Sequence, residues 1–199
     1  EFSARDWDEL FEGTKSVKWE EIIPENGKMH VVGKSVKSML HSVPDCQSIV
    51  KKAVIESMKR KYRREIFTED GPVYKIEISI LSDNATLSID TSGNALNRRG
   101  YRTQQGEAPL RETLAAAMVY LSRWKPDRVF ADPFCGSGTI PIEAAMIGRN
   151  MAPGLLRDFA AESWGMIPLK MWNDQREQAR ELIKHDKFRI FASDNNREV

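Results

Sequence analysis

The chain has 199 residues, is 41% hydrophobic and carries a net charge of +1 at neutral pH. Its length admits one large domain or two small ones, and no stretch approaches the roughly 18 apolar residues of a membrane span. The polar, acidic start does not read as a secretory signal. Cys46 and Cys135 alone build neither a disulfide framework nor a metal cage, and His30, His41 and His185 lack zinc spacing, so the sequence predicts a cytoplasmic protein without a metal.

Charge is unevenly spread. Lys28 to Ile66 hold seven Lys and three Arg against Asp45, Glu56 and Glu65, a net of +7, which leaves −6 for the rest. Such a block suits a polyanion-facing surface; a solvated helix face is the alternative.

In chain order, Trp7, Leu10 and Phe11 have helical spacing within an irregular stretch, residues 5–23. Pro44-Asp45 opens a helix, with Asp45 as N-cap and Ile49, Val50, Ala53, Val54 and Met58 as its buried stripe. Tyr74, Ile76, Ile78 and Ile80 alternate with polar residues. Ser82-Asp83-Asn84 is turn chemistry, and Ala85 to Thr91 returns with Leu87 and Ile89 facing inward, giving a hairpin. A small α/β domain is therefore predicted over 1–91. Gly93 to Gly106 reads as polar linker, so 92–106 separates this domain from a second over 107–199.

The second region starts with Pro109 at a helix N-terminus, and that helix is predicted to reach about Trp124 with Leu110, Leu114, Met118 and Leu121 inward. Pro126-Asp127 turns into a short strand, Arg128 to Ala131. The octet Asp132-Pro133-Phe134-Cys135-Gly136-Ser137-Gly138-Thr139 follows, then an amphipathic helix to Gly148. A loop, a helix from about Asn173 to His185 and a strand, Phe188 to Ala192, complete the pattern. The chain opens at Glu1 and stops at Val199, just after that strand, which is expected of a piece of a longer polypeptide.

The octet poses a chemical question. Strand, glycine-rich turn and helix form the first unit of a nucleotide-binding α/β sheet, whose helix N-terminus offers unpaired N–H groups. Gly136 and Gly138 have no third glycine in register, and no Gly-Lys-Ser/Thr follows, which excludes a dinucleotide fingerprint and a phosphate loop. Asp132 at the strand end would repel a pyrophosphate but suits an amino group. S-adenosylmethionine joins an amino-acid head to an adenosine tail. Asp194, closing the next strand, could accept from ribose hydroxyls; a strand-ending Asp also serves as a simple turn residue, and both roles stay open.

These residues carry a family resemblance. DPFCGSGTIPIEAAMIGRNMAPG resembles motif I of the large-subunit ribosomal RNA guanine-N2 methyltransferases, a group formerly labelled N6-adenine methylases. GEAPLRETLAAAMVYLSRW is similar to the helix before motif I in that family. The stretch from Phe11 to Lys59, with GKSVKS and VPDCQ, resembles its RNA-binding THUMP domain. The octet alone is less specific, because DNA amino-methyltransferases share it.

The resemblance implies an α/β chain in which a small THUMP-like domain precedes the N-terminal part of a Rossmann-like class I methyltransferase sheet. It implies S-adenosylmethionine as cofactor and RNA as partner, rRNA ahead of tRNA. Asp132, Phe134, Gly136, Ser137 and Gly138 would line the methionine end, with Thr139 opening the helix. Asp194 would hold the ribose, with Asn195 near the adenine. Pro109, Leu110, Arg111, Glu112 and Thr113 would flank the site; Arg111 would pair with the cofactor carboxylate or form a surface ion pair. Cys135 reads as a packing residue, since no base stands beside it. Lys34, Lys37, Lys51 and Lys52 would contact RNA, with Lys34 and Lys37 on loop-like backbone. The family's catalytic Asn/Asp-Pro-Pro-Tyr/Phe motif does not occur and is expected beyond Val199, so catalytic residues are not assigned. An adenine-N6 methyltransferase and an RNA-binding module without activity are the alternatives.

Overall fold

The computed structural model describes residues 1–102 and 110–196. The chain forms two compact units, Glu1–Gly93 with Ser163–Met166, and Asn94–Glu162 with Ile167–Val199.

In the first unit, β1 (Phe2–Ser3), α1 (Trp7–Lys15), β2 (Lys28–Val36), α2 (Val43–Tyr62), β3 (Val73–Leu81) and β4 (Asn84–Ile89) follow in order. The sheet order is β1-β4-β3-β2, with β2 parallel to β3 and the other pairs antiparallel. Ser82 and Asp83 both adopt positive φ, as a two-residue hairpin turn requires. Asp6 caps α1 by accepting from the Glu9 N–H. In α2 the N-cap position is Ser42, not Asp45, with Pro44 in the first turn. The alternation in β3 buries Tyr74, Ile76, Ile78 and Ile80 against Leu10, Trp19, Val50, Val54 and Met58, so the expected α2 stripe does form the core.

The sequence reading left β2 unassigned and expected loop backbone at Lys34. Lys34 instead lies in β2, opposite Ser79. The strand escaped notice because Gly33, Lys34 and Ser35 break its apolar alternation, and pairing with β3 decides its conformation. Four distant residues, Ser163–Met166, complete this unit. Trp164 stacks on Tyr74 with centroids 4.7 Å apart and donates from Nε1 to the Val73 carbonyl at 3.0 Å.

In the second unit, α3 (Glu112–Leu121), β5 (Phe130–Asp132), α4 (Thr139–Gly148), α5 (Leu169–Glu181) and β6 (Ile190–Ala192) follow. β5 and β6 form a two-stranded parallel sheet, pairing Phe130 with Ile190 and Asp132 with Ala192. Trp124 packs edge-on against Phe130 and Phe188, and the close approach at Gly148 leaves no room for a Cβ. α5 begins four residues before the expected Asn173. It buries no residue fully and is fastened by the Arg176 guanidinium on Glu162.

The predicted inner face of α3 is corrected. Leu114, Met118 and Leu121 are exposed, whereas Glu112, Ala115, Ala116 and Val119 are buried. Small side chains allow α3 close to α4, and close backbone packing outweighs side-chain bulk. Residues 94–102, read from sequence as linker, belong to the second unit.

Truncating Trp164 removes an aromatic stack and one hydrogen bond. Trp164→Ala should cost the first unit about 2 kcal/mol, read as faster exchange of the β3 amide hydrogens. Unchanged exchange there would remove Trp164 from this core.

Candidate functional site

The glycine turn is held by hydrogen bonds of its own and by others from the end of β6. Asp132 ends β5 and its Oδ1 accepts from the Phe134 N–H at 3.2 Å. The Cys135 N–H donates to the Ser193 carbonyl, and the Gly138 N–H to the Cys135 carbonyl. Asp194, just beyond β6, accepts from the Gly136 N–H at 2.8 Å through Oδ2 and from the Asn196 N–H at 2.9 Å through Oδ1. These backbone donors, Asn196 first and Gly136 next, hold the Asp194 carboxyl below the usual carboxylate range. Gly136 and Gly138 sit at φ +50 and +81, left-handed conformations that a Cβ disfavours by about 1 kcal/mol.

The turn leaves donors unspent. Among the described residues, the N–H groups of Ser137, Thr139 and Ile140 have no acceptor, and α4 has no side-chain cap. A Cβ on Gly136 would meet nothing within 4 Å. Asp132 Oδ2 is buried without a partner. Phe134 is 83% exposed at the rim of the turn, while Cys135 is half-buried with its thiol turned to the Gly136 carbonyl.

Arg102, which with Arg98 and Arg99 reads from sequence only as an alternative RNA contact in the linker, ties α3 to this turn. Arg102 donates from Nε to Glu112 Oε1 at 3.2 Å, from Nη1 to Ser137 Oγ at 3.1 Å and from Nη2 to Thr139 Oγ1 at 2.9 Å. Asn97 donates to the other Glu112 oxygen. Glu112 is 6% exposed. Burial works to raise its carboxyl, but its own N–H, Asn97 and Arg102 outweigh that and hold it below the usual range. Glu143 of α4, 2% exposed, accepts from the Tyr101 hydroxyl at 3.0 Å and faces Arg99 Nε at 3.5 Å. Burial, then the Glu143 carboxylate, pushes the Tyr101 phenol up. The Arg-rich run NRRGYR was visible in the sequence, but its buried partners were not.

The expected cofactor residues thus fall into two groups. Asp132, Phe134, Gly136, Ser137, Gly138, Thr139, Asp194 and Asn195 share the glycine turn and the end of β6. Leu110 and Arg111 stand at the start of α3, joined to the turn through Glu112 and Arg102. Pro109 lies outside the described residues.

The four expected RNA-contacting lysines do not form one free patch. Lys34 pairs with Glu77 at 3.0 Å and Lys51 with Glu69 at 2.8 Å. Lys52 lies over the Phe11 ring, and Lys37 follows β2 at positive φ. Glu69 and Glu77 lie outside the basic block, so folding imports acids that a linear count omits.

Residues 99–199 match the model of the family described as RMKL-like, methyltransferase domain. The chain belongs to that family. Residues 4–90 match the THUMP domain. RMKL-like relatives agree along nearly the whole chain. YpsC of Bacillus subtilis (strain 168) is 55% identical over 196 residues, covering 97% of this chain and 51% of YpsC. The protein named ribosomal RNA large subunit methyltransferase K/L of Syntrophotalea carbinolica is 36% identical over 188 residues, 91% of this chain and 26% of that protein. The chain therefore spans about half the length of YpsC. A Listeria monocytogenes structure described as a predicted N6-adenine-specific DNA methylase superposes with a TM-score of 0.95 at 52% identity, over 99% of this chain and 52% of that one. The methyltransferase SMU.472, solved with SAH, gives 0.93 at 44% identity, over 99% of this chain and 53% of that one. Among the described residues no helix is long and apolar enough to cross a membrane.

Glu112 and Asp194 both titrate lower in the folded chain than unfolded, so their contribution to stability is complete above the ordinary carboxylate range and is lost as the pH falls through it. The thermal midpoint of the second unit should drop between about pH 5 and about pH 3. Glu112→Gln should flatten part of that dependence and cost about 3 kcal/mol at neutral pH by stranding the Arg102 charge. Calorimetric unfolding across pH checks both; an identical pH profile in the variant would separate Glu112 from acid sensitivity.

Proposed function

We propose that this chain supplies the cofactor-binding part of an S-adenosylmethionine-dependent methyltransferase that modifies the N2 amine of a guanine in RNA, rRNA ahead of tRNA. The observation that carries this reading is the glycine turn with Asp132 and Asp194 at the adjoining ends of β5 and β6.

The residues present fit the cofactor. An amino-acid head has an ammonium and a carboxylate; Asp132, with one buried oxygen unpartnered, answers the first. The unspent N–H groups of Ser137, Thr139 and Ile140, at the positive end of α4, answer the second. Each Asp194 oxygen accepts one backbone N–H and keeps a lone pair for a ribose hydroxyl. The turn role and the ribose role of Asp194 are then the same role, since the bonds that fix the turn also orient the carboxylate. Asn195 stands next to it for the adenine, and Phe134, Leu110 and Arg111 flank the head group.

When bound, the cofactor supplies a methyl group made electrophilic by its sulfonium. The chain's own residues contribute position: Arg102 and Asp194 hold the turn rigid before any ligand arrives, which saves ordering entropy on binding. The target base would leave its stack to reach the site. The grip on its amine is assigned to the family's Asn/Asp-Pro-Pro-Tyr/Phe motif, which does not occur in these 199 residues.

RNA as substrate is supported by the THUMP match and by the name of the K/L relatives, and guanine N2 by the motif resemblance. Adenine N6 is the second reading, favoured by the description of the Listeria structure. Methyl transfer from radiolabelled cofactor to rRNA, followed by nucleoside analysis, decides: N2-methylguanosine is expected, and N6-methyladenosine alone would overturn the guanine assignment. Asp132→Ala and Asp194→Ala should each weaken SAH binding by about 1.5–3 kcal/mol in calorimetry; unchanged affinity in both would sink the site.

A further inference from the structure

A cavity of about 360 Å³ lies in the second unit, lined by Asn97, Arg98, Gly100, Arg102, Leu110 and Arg111, with Arg99 and Glu112 also at its wall. Four guanidinium groups share it with one carboxylate. Glu112 neutralises Arg102, and Arg99 is spent on Glu143. Arg98 and Arg111 are exposed and, among the described residues, form no ion pair. Two uncompensated guanidinium groups therefore face one concave surface.

The cavity is also pre-shaped. Arg157, nearly buried, donates to the carbonyls of Asn94, Ala95 and Arg98 and so pins the loop that carries Arg98. Gly100 sits at φ +91 with the Leu156 carbonyl oxygen only 1.9 Å from where a Cβ would be, so this bend admits glycine alone. α3 opens into the cavity with Arg111 at its N-cap position and no side-chain cap. A positive helix end thus adds to the two arginines.

We infer that this cavity binds a phosphodiester of the RNA backbone. Guanidinium groups match the paired oxygens of phosphate, and the rigid loop offers them without an ordering cost. Arg102 is shared between this cavity and the Ser137 and Thr139 hydroxyls, so a phosphate held here lies one side chain from the glycine turn. That places RNA backbone beside the cofactor site, where a nucleotide must be presented. The basic block of the first unit, whose Lys34 and Lys51 are paired, is less free to do this. The inference rests on the reading that the substrate is RNA, and not on which base is methylated.

The test is fluorescence anisotropy of a labelled oligouridylate with the purified protein, without cofactor, across a salt series. Arg98→Gln should flatten the slope of log affinity against log salt by about 0.7, the value for one phosphate contact on a single strand, while SAH affinity stays at wild type. Arg98→Lys should keep the slope. Arg111→Gln, read only for RNA, should flatten it likewise. Slopes equal to wild type in both Gln variants overturn the inference. A loss of SAH affinity in Arg98→Gln with an unchanged RNA slope also overturns it and assigns the cavity to the cofactor carboxylate. Failure of wild-type protein to bind SAH would strike the cofactor reading alone, because the RNA slopes are measured without it.

Discussion

Two buried carboxylates, Glu112 on α3 and Glu143 on α4, impose the constraint on which the second unit depends. A buried carboxylate must be paired or it costs several kcal/mol. Each finds its partner in one short segment: Arg102 for Glu112, and Arg99 with Tyr101 for Glu143. The segment bends at Gly100, at φ +91, between Arg99 and Tyr101, the two partners of Glu143. Its position then fixes the rest. Arg102 has two nitrogens left over, and they donate to Ser137 and Thr139, so charge compensation between helices also sets the glycine turn. The turn is closed from the other side by Asp194, a residue 58 positions from Gly136. The shape of the glycine turn is thus tied to the need to neutralise a helix interface.

Local chemistry was legible in the sequence; long-range compensation was not. The octet announced a strand, a turn and a helix because glycine, proline and aspartate act through their own backbones. The α2 stripe and the β3–β4 hairpin were legible from their apolar periodicity. The face of α3 was misread because Leu114, Met118 and Leu121 have helical spacing equal to that of Glu112, Ala115 and Val119. Nothing in the sequence says that an acid will be the buried member. Asp194 presented two competing roles; its bond to the Gly136 N–H, the turn role, is visible only in the fold, because the two residues are far apart in the chain.

Charge was legible in number and not in place. The +7 block exists, but Glu69 and Glu77 fold onto Lys51 and Lys34, and Glu25 onto Arg64. Pairing of this kind is weak at an exposed surface, yet it lowers the local field that a polyanion meets. Two arginines without an ion pair among the described residues, Arg98 of the NRRGYR run and Arg111 at the start of α3, line one cavity and thus offer a sharper positive feature than a longer run of lysines.

Trp164 has a consequence for dissection. Its ring covers Tyr74, although some ninety residues of chain separate the two. The first unit is therefore discontinuous: its last piece is delivered only after most of the second has been threaded. A fragment cut at Gly93 would keep all four strands and both helices and still expose one face of a core tyrosine. During synthesis the same gap stays open until residue 164 has left the ribosome, so the THUMP half cannot finish folding before the chain of the glycine turn has been made.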